Sequence, residues 1–290
     1  MDLVPKARFV IQTNGLLVRK LPPAYWRRFD AVLLSIDGPE DVTDYYRGRG
    51  VYRAVLNAAR WLRSEAGFRG DLIARMAVSE ESDIYRDVTH LLSLGLFDHV
   101  HWQLDVVWSD RWKDFDSWLD RVYKPGLRRL VALWVREAER GRVLGIAPFK
   151  ALVYAALTRT PLPAPPCGSG TEAFAISTDG RVLACPIAVY EKWAEVGSIW
   201  NSTLRDLRRV TVGEPCTRCE YFRLCGGRCL YAYKERLWGE EGFRKVCNAT
   251  AYLLDLLLDS LPVFRRLLRS KLTLEELEYP PFNNTVEIIP

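Results

Sequence analysis

Cysteine is missing from the first 166 of the 290 residues; all seven thiols fall between Cys167 and Cys247. Chemistry that needs soft sulfur ligands is therefore confined to the C-terminal part. Dense Lys/Arg blocks are also missing, and the net charge of +5 comes from 41 basic and 36 acidic residues that are well mixed. That excludes the basic stripe of a nucleic-acid binder and leaves a soluble surface that mildly favours acidic partners. No run of about 18 apolar residues offers a bilayer span. The opening MDLVPKARFVIQTNG lacks the charged-then-apolar pattern of a signal peptide. These absences predict a cytoplasmic protein with neither membrane nor nucleic-acid partners. In that compartment thiols stay reduced, and clustered cysteines hold metal more often than they form disulfides. Methionine is scarce, at 2 residues, as in proteins of hot environments, which makes seven retained cysteines hard to read as incidental.

What is present begins with alternation. RFVIQTNG and AVLLSIDG are short apolar runs closed by turn residues, the pattern of buried strands. YRAVLNAARWLRSE has helical spacing, DLIARMAVS reads as a strand, DIYRDVTHLLSLG as a helix stopped by glycine, and HVHWQLDVVW as a fourth strand. Such alternation implies an α/β fold with a parallel sheet under covering helices. At period two, Gln12 and Asn14 share a face, as do Ser35 and Asp37, Arg75 and Ser79, and His99, His101, Gln103 and Asp105. The opposite faces are apolar: Val32, Leu34 and Ile36 on one strand, Val100, Trp102, Leu104 and Val106 on another. A doubly wound sheet is buried on both faces. A polar face repeated on four strands predicts instead a partial barrel whose interior binds a polar ligand. Any one of these residues is more simply a turn former or a satisfied buried group; the recurrence carries the reading.

From about 111 to 158 the chain reads as helices, and the proline-rich TPLPAPP before Cys167 marks a boundary. TEAFAISTDGRVLAC predicts a hairpin with a two-residue turn at Asp179-Gly180, where glycine supplies positive φ. After Cys247, AYLLDLLLDSLPVFRRLLRS reads as an amphipathic helix kinked or broken at Pro262. Its interleaved Asp and Arg point to core or interface rather than membrane.

The densest stretch is CTRCEYFRLCGGRC, residues 216–229. Cys216 and Cys219 can reach one metal or cluster from a tight loop, and Cys225 and Cys229 extend the set. Gly226-Gly227 allows close backbone approach to a bulky inorganic group. Disulfides sit badly with an odd count. A structural zinc site uses four thiolates and leaves three cysteines over. Cubane iron–sulfur clusters take four cysteine thiolates each, so seven thiols suit two clusters, one with an open iron. Spacing alone puts iron–sulfur first, with zinc and inert or reactive buried thiols as alternatives.

Cys167, twelve residues to Gly180, four to Cys185, then C-x2-C-x5-C-x3-C and a last Cys247 resemble the seven-cysteine signature of the SPASM domain. FVIQTNGLL and LLSIDGPEDVTDYYRG resemble the third and fourth strand ends of the radical SAM barrel. Over nearly its whole length the chain is similar to archaeal peptide-modifying radical SAM proteins. The resemblance implies a half barrel over 1–110, equivalent to strands three to six, and a helical connector over 111–160. A SPASM iron–sulfur domain would occupy 161–250 and a C-terminal helix and tail 251–290. It also implies two auxiliary [4Fe–4S] clusters, one on Cys167, Cys185 and Cys229, the other on Cys216, Cys219, Cys225 and Cys247. A peptide or small protein would be the substrate. Ser35 and Asp37 would sit near the ribose or amino acid moiety of S-adenosylmethionine, with Thr13 and Asn14 at the same mouth; His99 and His101 would line the barrel.

Two departures qualify that picture. The C-x3-C-x2-C motif that holds the cofactor-cleaving cluster, and the G-G-E-P-like strand end that grips the cofactor's amino group, do not occur in this sequence. The resemblance thus implies the C-terminal portion of an enzyme, truncated or split, that is not competent alone for cofactor cleavage. A separate chain would carry the missing strands and C-x3-C-x2-C, and S-adenosylmethionine would bind only with that part supplied. A non-catalytic iron–sulfur redox or peptide-binding module is the alternative, and a zinc-stabilised structural protein a more distant one. Second, Cys185 is followed by Pro186, where sulfatase-maturing relatives carry an aspartate base, so formylglycine formation is not implied. The RFVIQTNG strand would also present an unpaired edge for another chain to cover.

Overall fold

The structure is a computed structural model that describes residues 6–107 and 112–279; the predicted strand end at Trp108 and the tail from 280 lie outside them. Four strands, β1 (Val10–Thr13), β2 (Ala31–Ser35), β3 (Asp71–Val78) and β4 (His99–Leu104), pair in parallel in the order β1-β2-β3-β4. Parallel neighbours need crossover connections. The helices Val51–Ser64 and Ile84–Ser93 supply two of them where the apolar periodicity predicts. A further helix, Glu40–Arg47, precedes the first. Asp83 caps Ile84–Ser93 by accepting from the amides of Tyr85 and Arg86, and Gly95 at φ 62° ends it.

The helix-facing side of the sheet is apolar as its period-two pattern predicts. Val32, Leu34, Ile36, Val100 and Trp102 are fully buried in one core, which continues through Trp134 and Phe149 to Phe264. These last three lie on the helices Lys124–Glu139, Ala147–Thr158 and Gly239–Leu267. The last helix of the cysteine-rich part is therefore packed into the same core as the sheet.

Gly239–Leu267 runs through Pro262 without a break and begins before Cys247, so it crosses the expected boundary at 250. A proline inside a helix loses one backbone hydrogen bond. Ending the helix there would also unpack Leu261 and Phe264, both buried in the core. By length and composition this helix is able to cross a membrane, but its Leu253, Leu254 and Leu257 are buried in the protein core.

A second, antiparallel sheet contains β5 (Ala175–Ile176), β6 (Arg181–Leu183) and β7 (Glu195–Ser198). Its first hairpin differs in detail from the two-residue turn. Ser177 and Arg181 still pair, through Ser177 N to Arg181 O at 2.9 Å, so Thr178, Asp179 and Gly180 form the loop. A type I′ turn needs positive φ at both central residues. Only Gly180 has it, at 84°, while Asp179 accepts from the Arg181 amide at 3.1 Å.

Candidate functional site

The sheet's other face departs from the expected polar one: Ala31, Leu33 and Ile73 form a small buried apolar core on it, and polar groups gather beyond them. Gln12, Ser35, Gln103 and Asp105, near or just past the ends of their strands, and Arg75 from the middle of β3 line a cavity of about 340 Å³. Ile187, Arg228 and Cys229 of the cysteine-rich part face them. Arg75 donates to the Met76 carbonyl at 2.7 Å and to Gln103 Oε1. Five polar groups from four strands, closed by a thiol-bearing loop, suit a polar ligand that reaches toward sulfur.

The expected cofactor contacts divide. Ser35 is on the wall. Asp37 is buried beneath it: Arg47 donates to both carboxylate oxygens at 2.6 Å, and the Ala77 amide donates at 2.8 Å. Its carboxylate is therefore committed to protein groups, and Arg47, on the helix after β2, is the residue that reaches the cavity. Thr13 and Asn14 are not on the wall. Their side-chain oxygens accept from the amides of Gly15 and Leu16, each at 3.2 Å, and shape the turn after β1. His99 and His101 share the polar face but lie toward its N-terminal end. His99 Nδ1 pairs with Asp71 at 2.8 Å and its ring packs edge-on against Tyr279; His101 is fully buried.

The thiols converge from separate elements. Cys216 opens a short 3-10 turn that brings the Cys219 amide to its carbonyl at 2.9 Å. Cys225 ends the helix Phe222–Cys225, and Cys247 projects from Gly239–Leu267. Tyr221 ties this loop to the long helix by donating to Asp255 at 2.7 Å. The result is one cavity of about 370 Å³ with Cys216, Cys219, Cys225 and Cys247 on its wall. Cys185 and Cys229 share a separate buried cluster with Ala188, Ala194 and Tyr231. The Cys167 thiol donates to Ser169 Oγ at 3.1 Å.

These residues fit an inorganic cluster better than a single ion. Among the described residues no three His, Cys, Asp or Glu side chains come together closely enough to hold one metal ion. Four thiols around a roomy cavity instead match a cubane, in which each iron meets its own thiolate. Burial pushes the Cys225 thiol up to about 11 and raises that of Cys216. Neutral thiols are favoured there until a cationic partner such as iron stabilises the thiolates.

The glycine pair works differently from expectation. A side chain on Gly226 would stand 2.2 Å from the Pro163 carbonyl oxygen, and one on Gly227 would stand 2.7 Å from Val212. Both glycines, at φ 58° and 81°, chiefly let the thiol loop pack on protein. Arg47 and Arg228 are the charged cavity residues that sequence reasoning missed. Neither stands at a strand position whose period would have revealed it.

No family model matches the chain. Among curated proteins it is 25% identical over 246 residues to the cysteine-type anaerobic sulfatase-maturating enzyme of Clostridium perfringens (strain 13 / Type A), covering 76% of this chain and 63% of that protein. An uncharacterized protein of Archaeoglobus fulgidus is 26% identical over 252 residues, covering 77% of this chain and 56% of that one. The chain thus spans less than two thirds of the length of these relatives. Among solved structures, native anSMEcpe with bound AdoMet and Cp18Cys peptide superimposes with a TM-score of 0.69 at 20% identity, over 92% of this chain and 80% of that one. Native anSMEcpe with bound AdoMet gives 0.68 at 20% identity, over 89% and 75%. The structural likeness bears out the expected α/β fold with a parallel sheet. By its sequence homology to the anaerobic sulfatase-maturating enzymes the chain fits a radical SAM/SPASM family, and the solved anSMEcpe structures share its fold.

Proposed function

We propose that this chain is the C-terminal part of a cytoplasmic radical SAM/SPASM enzyme that modifies a peptide or small protein. Cys216, Cys219, Cys225 and Cys247 hold one auxiliary [4Fe–4S] cluster; Cys167, Cys185 and Cys229 hold the other and leave one iron open. The observation that carries this reading is the gathering of four thiols, from a turn, a short helix and a long helix, onto one cavity wall.

Within that reading the concave cavity receives the cofactor and the reacting part of the peptide. Ser35, Gln12 and Gln103 offer hydrogen bonds to polar groups, and the Arg75 and Arg47 side chains border the same space. Asp37 keeps Arg47 in place through its paired hydrogen bonds. Thr13 and Asn14 hold the β1 turn at the mouth. Cys229 on the facing wall places the first cluster beside the peptide. When bound, S-adenosylmethionine supplies the radical chemistry, and the clusters supply docking and an electron path. Pro186 follows Cys185, so no aspartate base stands there and formylglycine formation is not assigned.

A segment carrying C-x3-C-x2-C, encoded upstream or as a separate chain, completes the barrel along the outer edge of β1. The test is to express the DNA preceding Met1, or a neighbouring frame with that motif, together with this chain. Co-purification and reductive release of 5′-deoxyadenosine from S-adenosylmethionine support the proposal. Two reconstituted clusters with no cofactor cleavage under any such pairing would instead favour a non-catalytic iron–sulfur redox or peptide-binding module.

A further inference from the structure

Arg228 occupies an unusual position. It lines the concave cavity, the four-thiol cavity, and a small pocket between them. It stands at φ 60°, in the left-handed region, directly after two glycines that adopt such angles freely. A long cationic side chain kept where a third glycine would rest without strain points to a use for that side chain. It is half-buried, and no ion pair joins it to a carboxylate among the described residues.

Its neighbours differ. Arg236, also on the small pocket, pairs with Glu240 and stacks over the Phe243 ring at 3.9 Å, so its charge is already offset. Arg244 also lines the four-thiol cavity, but it is exposed, where water and salt screen its field. Among the cavity's cations, Arg228 is the one that is both uncompensated and partly withdrawn from water.

Resting on the reading that the four-thiol cavity holds a [4Fe–4S] cluster, we propose that Arg228 is a positioning charge that raises the reduction potential of that cluster. A cubane held by four thiolates carries net negative charge, and reduction adds one more electron. A nearby cation in a medium less polarisable than water stabilises the reduced form more than the oxidised one. Because Arg228 also borders the cavity that contains Cys229, the same charge biases where an electron rests between the two thiol sets.

The test uses the full chain, reconstituted anaerobically, in four forms: wild type, Arg228→Gln, Arg228→Lys and Arg244→Gln. Iron and acid-labile sulfide are counted first, and each cluster's midpoint is then read by a potentiometric titration followed by electron paramagnetic resonance. The expected result is a lowered midpoint for one of two clusters in Arg228→Gln, a midpoint close to wild type in Arg228→Lys, and a smaller, more salt-sensitive shift in Arg244→Gln. Unchanged midpoints in Arg228→Gln at full iron content would overturn the inference. So would a larger shift in Arg244→Gln, or loss of cluster confined to Arg228→Gln, since the charge would then serve assembly rather than potential. A wild type that takes up no iron would overturn the underlying cluster reading instead.

Discussion

Replacing Gly226 with alanine probes the packing that holds the thiol loop, and the effect has two separable parts. The residue has φ 58°, and an alanine Cβ would stand 2.2 Å from the Pro163 carbonyl oxygen. The left-handed conformation costs a non-glycine residue about 1–2 kcal/mol. The overlap is with backbone and cannot be relieved by rotating a side chain. Relief requires moving a loop whose Gly226 amide donates to Phe222 O at 2.7 Å and whose Arg228 amide donates to Cys225 O at 2.9 Å. Overpacking of that kind adds about 1–3 kcal/mol, for a total of about 2–5 kcal/mol. Gly239 isolates the first part, because it has φ 66° and nothing lies within 4 Å of its added Cβ. Gly239→Ala should therefore cost only about 1–2 kcal/mol. The assay is urea unfolding of the anaerobically purified chain, followed by tryptophan fluorescence, with iron content measured in parallel. Gly226→Ala should unfold at a clearly lower urea midpoint than Gly239→Ala and retain less iron. Equal midpoints would refute the packing account of the thiol loop.

Three other outcomes are expected. Cys225→Ser and Cys229→Ser should each lose roughly half the iron, about four of eight atoms, and the two losses should add in the double variant; full loss from either single change would mean that the thiols form one site. Arg47→Leu strands the buried Asp37 carboxylate and should cost about 3–5 kcal/mol, partly recovered in Asp37→Asn/Arg47→Leu; chemical denaturation of the single and double variants checks this. Burial raises Asp87 to about 6, partly opposed by its 2.7 Å pairing with Arg86. The folded chain therefore binds this proton more tightly than the unfolded one. The stabilising contribution is complete below pH 4 and is lost as pH rises through about 6, with a limiting slope of one proton. Asp87→Asn should remove that slope from denaturation midpoints taken between pH 4 and 7, and a slope unchanged by the substitution would count against it.

Much of the fold was legible in the sequence because burial imposes a period. The run in β4 alternates apolar and polar residues, and its apolar set, Val100, Trp102 and Leu104, lies in the main core, whereas β2 is apolar on both faces, with Ala31 and Leu33 in a second, smaller core beside Ile73. Period two fixes a face but not a depth along it. It grouped His99 with Gln103, yet His99 stands at the start of β4 beside Asp71 while Gln103 stands near its end on the cavity wall. It also grouped Ser35 with Asp37, although β2 ends at Ser35 and the chain then turns Asp37 under Arg47. The cysteine spacing marked a candidate metal centre, but it could not show that Cys247 arrives from a helix already committed to the core. Arg228 left no trace in composition or period. Its position depends on a backbone angle and on three cavities that meet only after folding. At Pro262 a local rule failed because tertiary packing of Leu261 and Phe264 outweighs one missing hydrogen bond.

Anaerobic reconstitution of the full chain, with iron, acid-labile sulfide and zinc quantified in one sample, tests the central claim most directly. Two [4Fe–4S] clusters predict about eight iron and about eight sulfide per chain, a brown colour, and little zinc. A colourless protein with stoichiometric zinc and no labile sulfide would contradict the account.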